Sequence, residues 1–111
     1  MIEGKQELLM ALELLSIEVK DATRYEIVKL TGNSKKQRHM YNFLNKLFTN
    51  RILVATKRTQ IKKGKFEVLY DLDKEKLWDA ITENPIIVEL KKVMERYEFL
   101  MLNKKHPFSF N

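Results

Sequence analysis

Two helix-start signals stand eleven residues apart, at Thr23 and Ser34, and they constrain the fold more than any other feature of the chain. Thr23-Arg-Tyr-Glu26 and Ser34-Lys-Lys-Gln37 both have capping-box spacing. In that arrangement the hydroxyl accepts the amide three residues on, and the Glu or Gln side chain reaches back to the cap's own amide. Between them lies Thr31-Gly32-Asn33, where glycine can take the positive φ that ends a helix. A short helix, a turn and a longer helix must follow in that order. The short helix offers Ile27, Val28 and Leu30 to a core. The longer one, 34–49, gathers Met40, Leu44 and Leu47 on one face of a 100° wheel, flanked by Phe43 and Phe48. Its opposite face holds Lys35, Arg38, Asn42, Asn45, Lys46 and Thr49, with His39 and Tyr41 at the edges. One side is built for a core and the other for hydrogen bonding.

The flanking segments complete a small mixed domain. Glu3 to Leu15 reads as a helix with Leu8, Leu12 and Leu15 on one stripe. Leu9 and Met10 widen that stripe, which predicts core contact on one side and another subunit on the other. Ile17 and Val19 alternate with polar residues in a short extended piece. Ile52 to Thr59 is β-branched and alternating, so a strand is predicted there. Lys62-Lys63-Gly64-Lys65 makes a cationic turn, and Phe66, Val68, Tyr70 and Leu72 alternate along the return strand. Asp73 caps a fourth helix, Lys74 to about Thr82, carrying Leu77, Trp78 and Ile81 inward. Asn84-Pro85 breaks it, and proline suits the first turn of the next helix.

That last helix, Ile86 to about Lys104, places Ile86, Leu90, Val93, Tyr97 and Leu100 in alternating steps of four and three, a coiled-coil-like seam. Ile87, Met94 and Met101 run parallel to it. A domain of 111 residues has one core to fill, and two apolar rows exceed its need. The expected use is a homodimer interface comprising Leu9, Ile86, Leu90, Val93, Met94, Tyr97, Leu100 and Met101. The alternative is packing against the first helix of the same chain. The two phenylalanines of the tail His106–Phe110 are expected to tuck onto a neighbouring surface.

Charge adds a second constraint. Of the 21 basic and 15 acidic residues, Val28 to Phe66 contains eleven basic and no acidic ones. That stretch carries +11 and the remainder −5, so the net +6 is a segregated field. Segregation of this kind marks a surface that meets a polyanion, whereas a merely solvated face mixes both signs. With no cysteine, the chain has no disulfide, thiolate-metal site or thiol nucleophile. It shows no phosphate loop, nucleophile elbow or metal-ligand spacing, and its two histidines, His39 and His106, are far apart. Neither enzyme activity nor a cofactor or metal is expected. No apolar run approaches about 18 residues and no secretory pattern opens the chain, so the expectation is a cytoplasmic protein off the membrane.

Helix, short strand, helix, turn, helix and hairpin is also the order of the winged helix-turn-helix domain. Met40-Tyr-Asn-Phe-Leu-Asn-Lys-Leu47 followed by Asn50-Arg-Ile-Leu-Val54 resembles small regulators of the PadR, ArsR and MarR kinds, with Leu44, Leu47, Ile52 and Leu53 at the family's apolar places. The usual glycine before the apolar pair is Arg51 here. The resemblance implies a mostly α fold with a small β-hairpin wing (α+β). Residues 1–72 would be the winged core, with the recognition helix at 34–49 and the wing at 52–72, and 73–111 the dimerising helices. It further implies double-stranded DNA as partner, with the recognition helix in the major groove. Arg38, Asn42 and Asn45 would then read base edges, His39 and Tyr41 would flank them, and Ser34, Lys35, Lys36 and Lys46 would meet phosphates. Lys57, Arg58, Lys62, Lys63 and Lys65 would belong to the wing, on backbone or minor groove.

A homodimeric transcriptional repressor is the function expected. A plasmid or viral partition protein, or a replication-origin protein, demands the same contact chemistry. An RNA-binding winged helix is a further alternative, but RNA recognition favours stacking aromatics and only Tyr41 borders the basic face. An effector site between Trp78, Tyr97 and the first helix is conceivable from the aromatics alone.

Overall fold

The structure, a computed structural model, describes residues 1–32 and 37–104. Ser34, Lys35 and Lys36, the second capping box and the tail phenylalanines therefore lie outside the described residues. The elements are α1 (Gly4–Leu15), α2 (Arg24–Leu30), α3 (Gln37–Thr49), β1 (Leu53–Lys62), β2 (Lys65–Leu72), α4 (Lys74–Thr82) and α5 (Pro85–Lys104). Five helices and one antiparallel hairpin make a mostly helical α+β fold among the described residues.

The local signals act as the sequence predicts where their chemistry is self-contained. Thr23 Oγ1 accepts the Glu26 amide at 3.0 Å while Glu26 Oε1 accepts the Thr23 amide at 3.0 Å, closing both halves of the capping box. The Asp73 carboxylate accepts the Lys76 amide at 3.1 Å and starts α4. Gly32 ends α2 at φ 66°. After α3, the Arg51 amide donates to Phe48 and the Ile52 amide to Leu47, a Schellman closure that needs a left-handed residue at position 51. Arg51 supplies it at φ 61°, standing where a glycine would carry less strain.

The core is one cluster joining Leu8, Ala11 and Leu14 of α1, Ile27 and Val28 of α2, and Met40, Phe43, Leu44 and Leu47 of α3. Leu53 and Tyr70 of the hairpin and Leu77 and Ile81 of α4 complete it. Four residues predicted to face inward do not. Leu12, Leu30 and Trp78 are 40%, 54% and 53% exposed, and Phe48 is also at the surface. α1 is apolar around most of its circumference, so its own pattern does not choose a face. Docking against α3 and α4 chooses Leu8, Ala11 and Leu14, and turns Leu9 and Leu12 outward. Trp78 and Phe48 each follow a fully buried leucine, and one step along a helix rotates a side chain by about 100°.

The extended piece after α1 runs beside β2: the Val19 carbonyl accepts the Leu72 amide at 3.4 Å, and Ala22 exchanges two backbone hydrogen bonds with Tyr70, at 3.1 and 2.8 Å. β1 runs to Lys62, three residues past the predicted Thr59, and pairs with β2 around a Lys63-Gly64 turn. Register shifts between Ala55 and Lys57 and between Gln60 and Lys62 insert Thr56 and Ile61 as extra residues. Such bulges raise the local twist and bend the strand.

Among the described residues α5 is anchored at its first turn only. Asn84, 1% exposed, donates through Nδ2 to the Ile2 carbonyl at 2.9 Å and accepts the Ile86 amide on Oδ1 at 2.9 Å. It caps α5 and pins the N-terminal strap with one amide group. Ile87 packs on the core, but every side chain from Val88 to Asn103 is exposed. The predicted alternative, an α5 lying along α1 of the same chain, is not adopted. The radius of gyration is 19.5 Å, against about 13 Å for a compact chain of roughly 100 residues.

Candidate nucleic-acid interface

With Met40, Phe43, Leu44 and Leu47 buried, α3 turns Arg38, Asn42, Asn45 and Thr49 outward. These four follow one another at steps of four, three and four, so they form a single polar line down the helix. The flanks of that line differ. On one side Phe48 meets the Tyr70 ring edge-on at 5.8 Å, which ties α3 to the hairpin. On the other, Lys46 turns back to α1 and its Nζ sits 2.8 Å from Glu7 Oε1 and 3.7 Å from Glu3 Oε2. The sequence puts Lys46 among the phosphate contacts; in the structure its charge is already matched by α1, and it is half-buried. His39 is exposed on the Lys46 flank, and Tyr41 is half-buried against the core on the Phe48 flank.

One residue of this surface escapes a reading of the sequence. Arg24 lies outside the acid-free stretch, yet its Nη1 donates to Asn45 Oδ1 and its guanidinium stands 5.5 Å from the Tyr70 ring centre. Its position just after the Thr23 cap, on the helix that packs across α3, is the available signal. Arg24 therefore extends the polar line of α3 toward the base of the hairpin.

The hairpin supplies the second part of the surface. Arg58 lies over the Phe66 ring at 4.2 Å, a cation–π contact that holds the guanidinium against the strand face. Phe66, Val68 and Tyr70 share that face, and an open cleft of about 430 Å³ runs between Phe48, Val68, Tyr70 and Arg58. At the far end Lys62 stands directly opposite Lys65, with Lys63 in the turn between them, all exposed. Like charges directly opposite on a hairpin are destabilising, and a bound anion would relieve that repulsion.

Lys57 is the exception among the hairpin cations. Its Nζ is 3.6 Å from Asp21 Oδ2, and Thr56 Oγ1 donates to Asp21 Oδ1 at 2.8 Å. The Thr56 hydroxyl, and after it the Lys57 charge, hold the Asp21 carboxyl below its usual range despite some opposing desolvation. Asp21 itself sits at φ 47°, and its amide donates to Asp71 Oδ1 at 2.7 Å. This acidic corner fastens the base of the hairpin and partly offsets Lys57, which leaves Arg58 and the three tip lysines as the stronger cationic features.

The effector pocket conceived from the aromatics does not form in the single chain, since Trp78 and Tyr97 are both more than half exposed. Among the described residues no group of three or more His, Asp or Glu side chains is gathered as a metal ion would require. No described helix is long and apolar enough to cross a membrane. No protein-family model, curated protein or solved structure matches this chain.

Proposed function

We propose that the chain is a sequence-specific double-stranded DNA-binding protein of the winged helix-turn-helix type, acting as a homodimeric transcriptional repressor. The observation that carries this reading is the exposed line Arg38, Asn42, Asn45 and Thr49 on a helix whose other face is wholly buried. Arginine can grip guanine and asparagine can grip adenine, each with two hydrogen bonds, and these side chains stand at the steps a helix in the major groove needs. The remaining features fit the same partner. α3 and β1 contain no carboxylate to repel a phosphate. The two in β2, Glu67 and Asp71, alternate with Phe66, Val68 and Tyr70 and so lie on the face opposite Arg58; Lys65 shares their face, two residues beyond Glu67 at the tip. Arg24, Arg58 and the lysines 62, 63 and 65 neutralise backbone on either side of the helix. The hairpin acts as the wing, its cationic tip on an adjacent backbone or minor groove.

The exposed apolar rows of α5 join two copies, and a two-fold dimer matches a roughly palindromic site. Repression requires only occupancy: a dimer seated on such a site denies it to polymerase. Arg38→Ala and Lys63→Ala separate the two kinds of contact. Arg38→Ala is expected to relax base preference at one position of each half-site, with a loss of about 1–3 kcal/mol on the preferred duplex. Lys63→Ala is expected to weaken all duplexes alike and to flatten the salt dependence by about one phosphate per subunit. Competition binding against a panel of mutated sites reads both. Loss of base preference from Lys63→Ala and none from Arg38→Ala would show that α3 is not the reading helix.

A further inference from the structure

The charges beside the α5 seam determine how a second copy pairs with it. In heptad terms Leu90 and Tyr97 occupy the a positions and Ile86, Val93 and Leu100 the d positions. Ile87, Met94 and Met101 then fall at e, and Glu89 and Arg96 at g. The two flanks are unlike: one is apolar along its length, and the other carries an acid and a base one heptad apart. All of these flanking residues except Ile87 are exposed. Among the described residues Glu89 has only a loose charged contact in its own chain, 3.6 Å from the exposed Lys92 Nζ, and such pairs contribute little.

Parallel and antiparallel helices use these flanks differently. In a parallel pair each g residue faces an e residue of the other helix. Glu89 and Arg96 would then lie beside the partner's Met94 and the partner's Met101, leaving two charges per chain against apolar side chains. In an antiparallel pair g faces g and e faces e. If the two-fold axis crosses α5 between Lys91 and Lys92, Glu89 meets the partner's Arg96 on one flank, and Ile87 meets the partner's Met94 on the other. The same register stacks Leu90 on the partner's Val93 and Ile86 on the partner's Tyr97. Sliding the pair by one heptad toward the C-terminus instead sets Arg96 against the partner's Arg96. Both the ionic and the apolar flank are satisfied in one orientation and one register.

We infer that α5 binds a second copy of this chain as an antiparallel helix pair, centred between Lys91 and Lys92 and keyed by reciprocal Glu89–Arg96 contacts. This rests on the homodimer reading above and adds its orientation and register. The two bodies then sit at opposite ends of the rod, with their Pro85 residues about 20 Å apart at 1.5 Å per residue. Leu100 and Met101 run past the partner's Pro85, where the partner's α5 starts against its α1 and α4.

The chain has no cysteine, so Asn103→Cys gives a single attachment point for a spin label on the full-length protein. Residue 103 lies far from the axis in the antiparallel pair, and pulsed dipolar spectroscopy is expected to read roughly 35 Å between labels. A parallel pair brings the labels within roughly 10–20 Å, given helix axes about 10 Å apart, and that result overturns the inference while keeping the dimer. A monomeric mass in sedimentation, with no dipolar coupling, overturns the dimer itself. Charge exchange gives an independent reading of the register. Glu89→Arg and Arg96→Glu should each weaken self-association by about three- to tenfold, since each sets two like-charged pairs in one dimer. Mixing the two variants should restore it, because both contacts between positions 89 and 96 of the mixed dimer again set an acid against a base. Mixed chains that associate no better than either variant alone would contradict the pairing.

Discussion

α3 and α5 present opposite solutions to the same problem. Each carries an apolar stripe along one side, but α3 buries Met40, Phe43, Leu44 and Leu47 against α1, α2 and β1 and shows solvent a polar line. α5 leaves its stripe bare beyond the first turn, with Leu90, Val93, Tyr97 and Leu100 about half exposed or more. A helix that has buried its apolar face inside its own chain can select only a partner that hydrogen-bonds or carries charge. A helix that has not buried it selects another apolar helix. On the proposed reading the two surfaces divide recognition between them, and the buried Asn84 fixes where α5 leaves the body that carries α3.

Two leucine substitutions separate α3 from α5 by the largest margin. Leu44→Ala removes a fully buried side chain from α3 and is expected to cost about 2–5 kcal/mol in denaturant unfolding. Leu90→Ala, made on a side chain 49% exposed, is expected to change the unfolding of dilute monomer by less than about 0.5 kcal/mol, while weakening association. Equal losses from both would show that α5 folds back onto its own chain. Next in size is the joint between the two surfaces. Asn84→Ala deletes the α5 cap and leaves the Ile2 carbonyl buried without its donor, an expected loss of about 1–3 kcal/mol in thermal or denaturant unfolding.

These helices also show which parts of the fold are legible in the sequence. The Thr23 box, the Asp73 cap and the turn at Gly64 depend on residues a few places apart, so spacing alone locates them. The inner face of α3 is legible because polar residues occupy its whole outer side. The inner face of α1 is not, because apolar residues fill every place from Leu8 to Leu15 except Glu13, and only contact with α3 and α4 chooses among them. The pairing of Lys46 with Glu7 and of Arg24 with Asn45 joins side chains 39 and 21 residues apart, beyond the reach of any local pattern. Arg51 is legible as a departure from a glycine, and the backbone takes the left-handed form regardless.

Arg51 follows in order of effect. Arg51→Gly is expected to raise stability by about 1 kcal/mol, since a side chain in the left-handed region costs about 1–2 kcal/mol and the freer unfolded chain of the glycine variant offsets part of the gain. Denaturant unfolding reads the change. A loss of stability would mean that the Arg51 side chain makes a contact worth more than the strain. The smallest effect concerns the hairpin base. The Asp21 carboxyl is held below its ordinary value of 3.8, so its contribution is fully present above that pH and is lost as the pH falls through the lowered folded value. Asp21→Asn should therefore melt below wild type at neutral pH and converge with it at acidic pH. A difference that persists unchanged once acid has protonated the carboxyl in both folded and unfolded chains would assign the effect to the amide's own packing rather than to the carboxylate's charge.

The proposed meeting of α3 and the hairpin with duplex DNA is read by an affinity series across salt. Full-length protein would be titrated with the duplex upstream of its own coding sequence and with random duplex, from about 50 to 200 mM monovalent salt. Preference for the upstream fragment is expected, together with a linear fall of log affinity with log salt, at about 0.9 per phosphate neutralised. The fall amounts to a thousandfold or more if two subunits engage six or more phosphates. Absence of binding to any duplex at the lowest salt would contradict the proposed meeting.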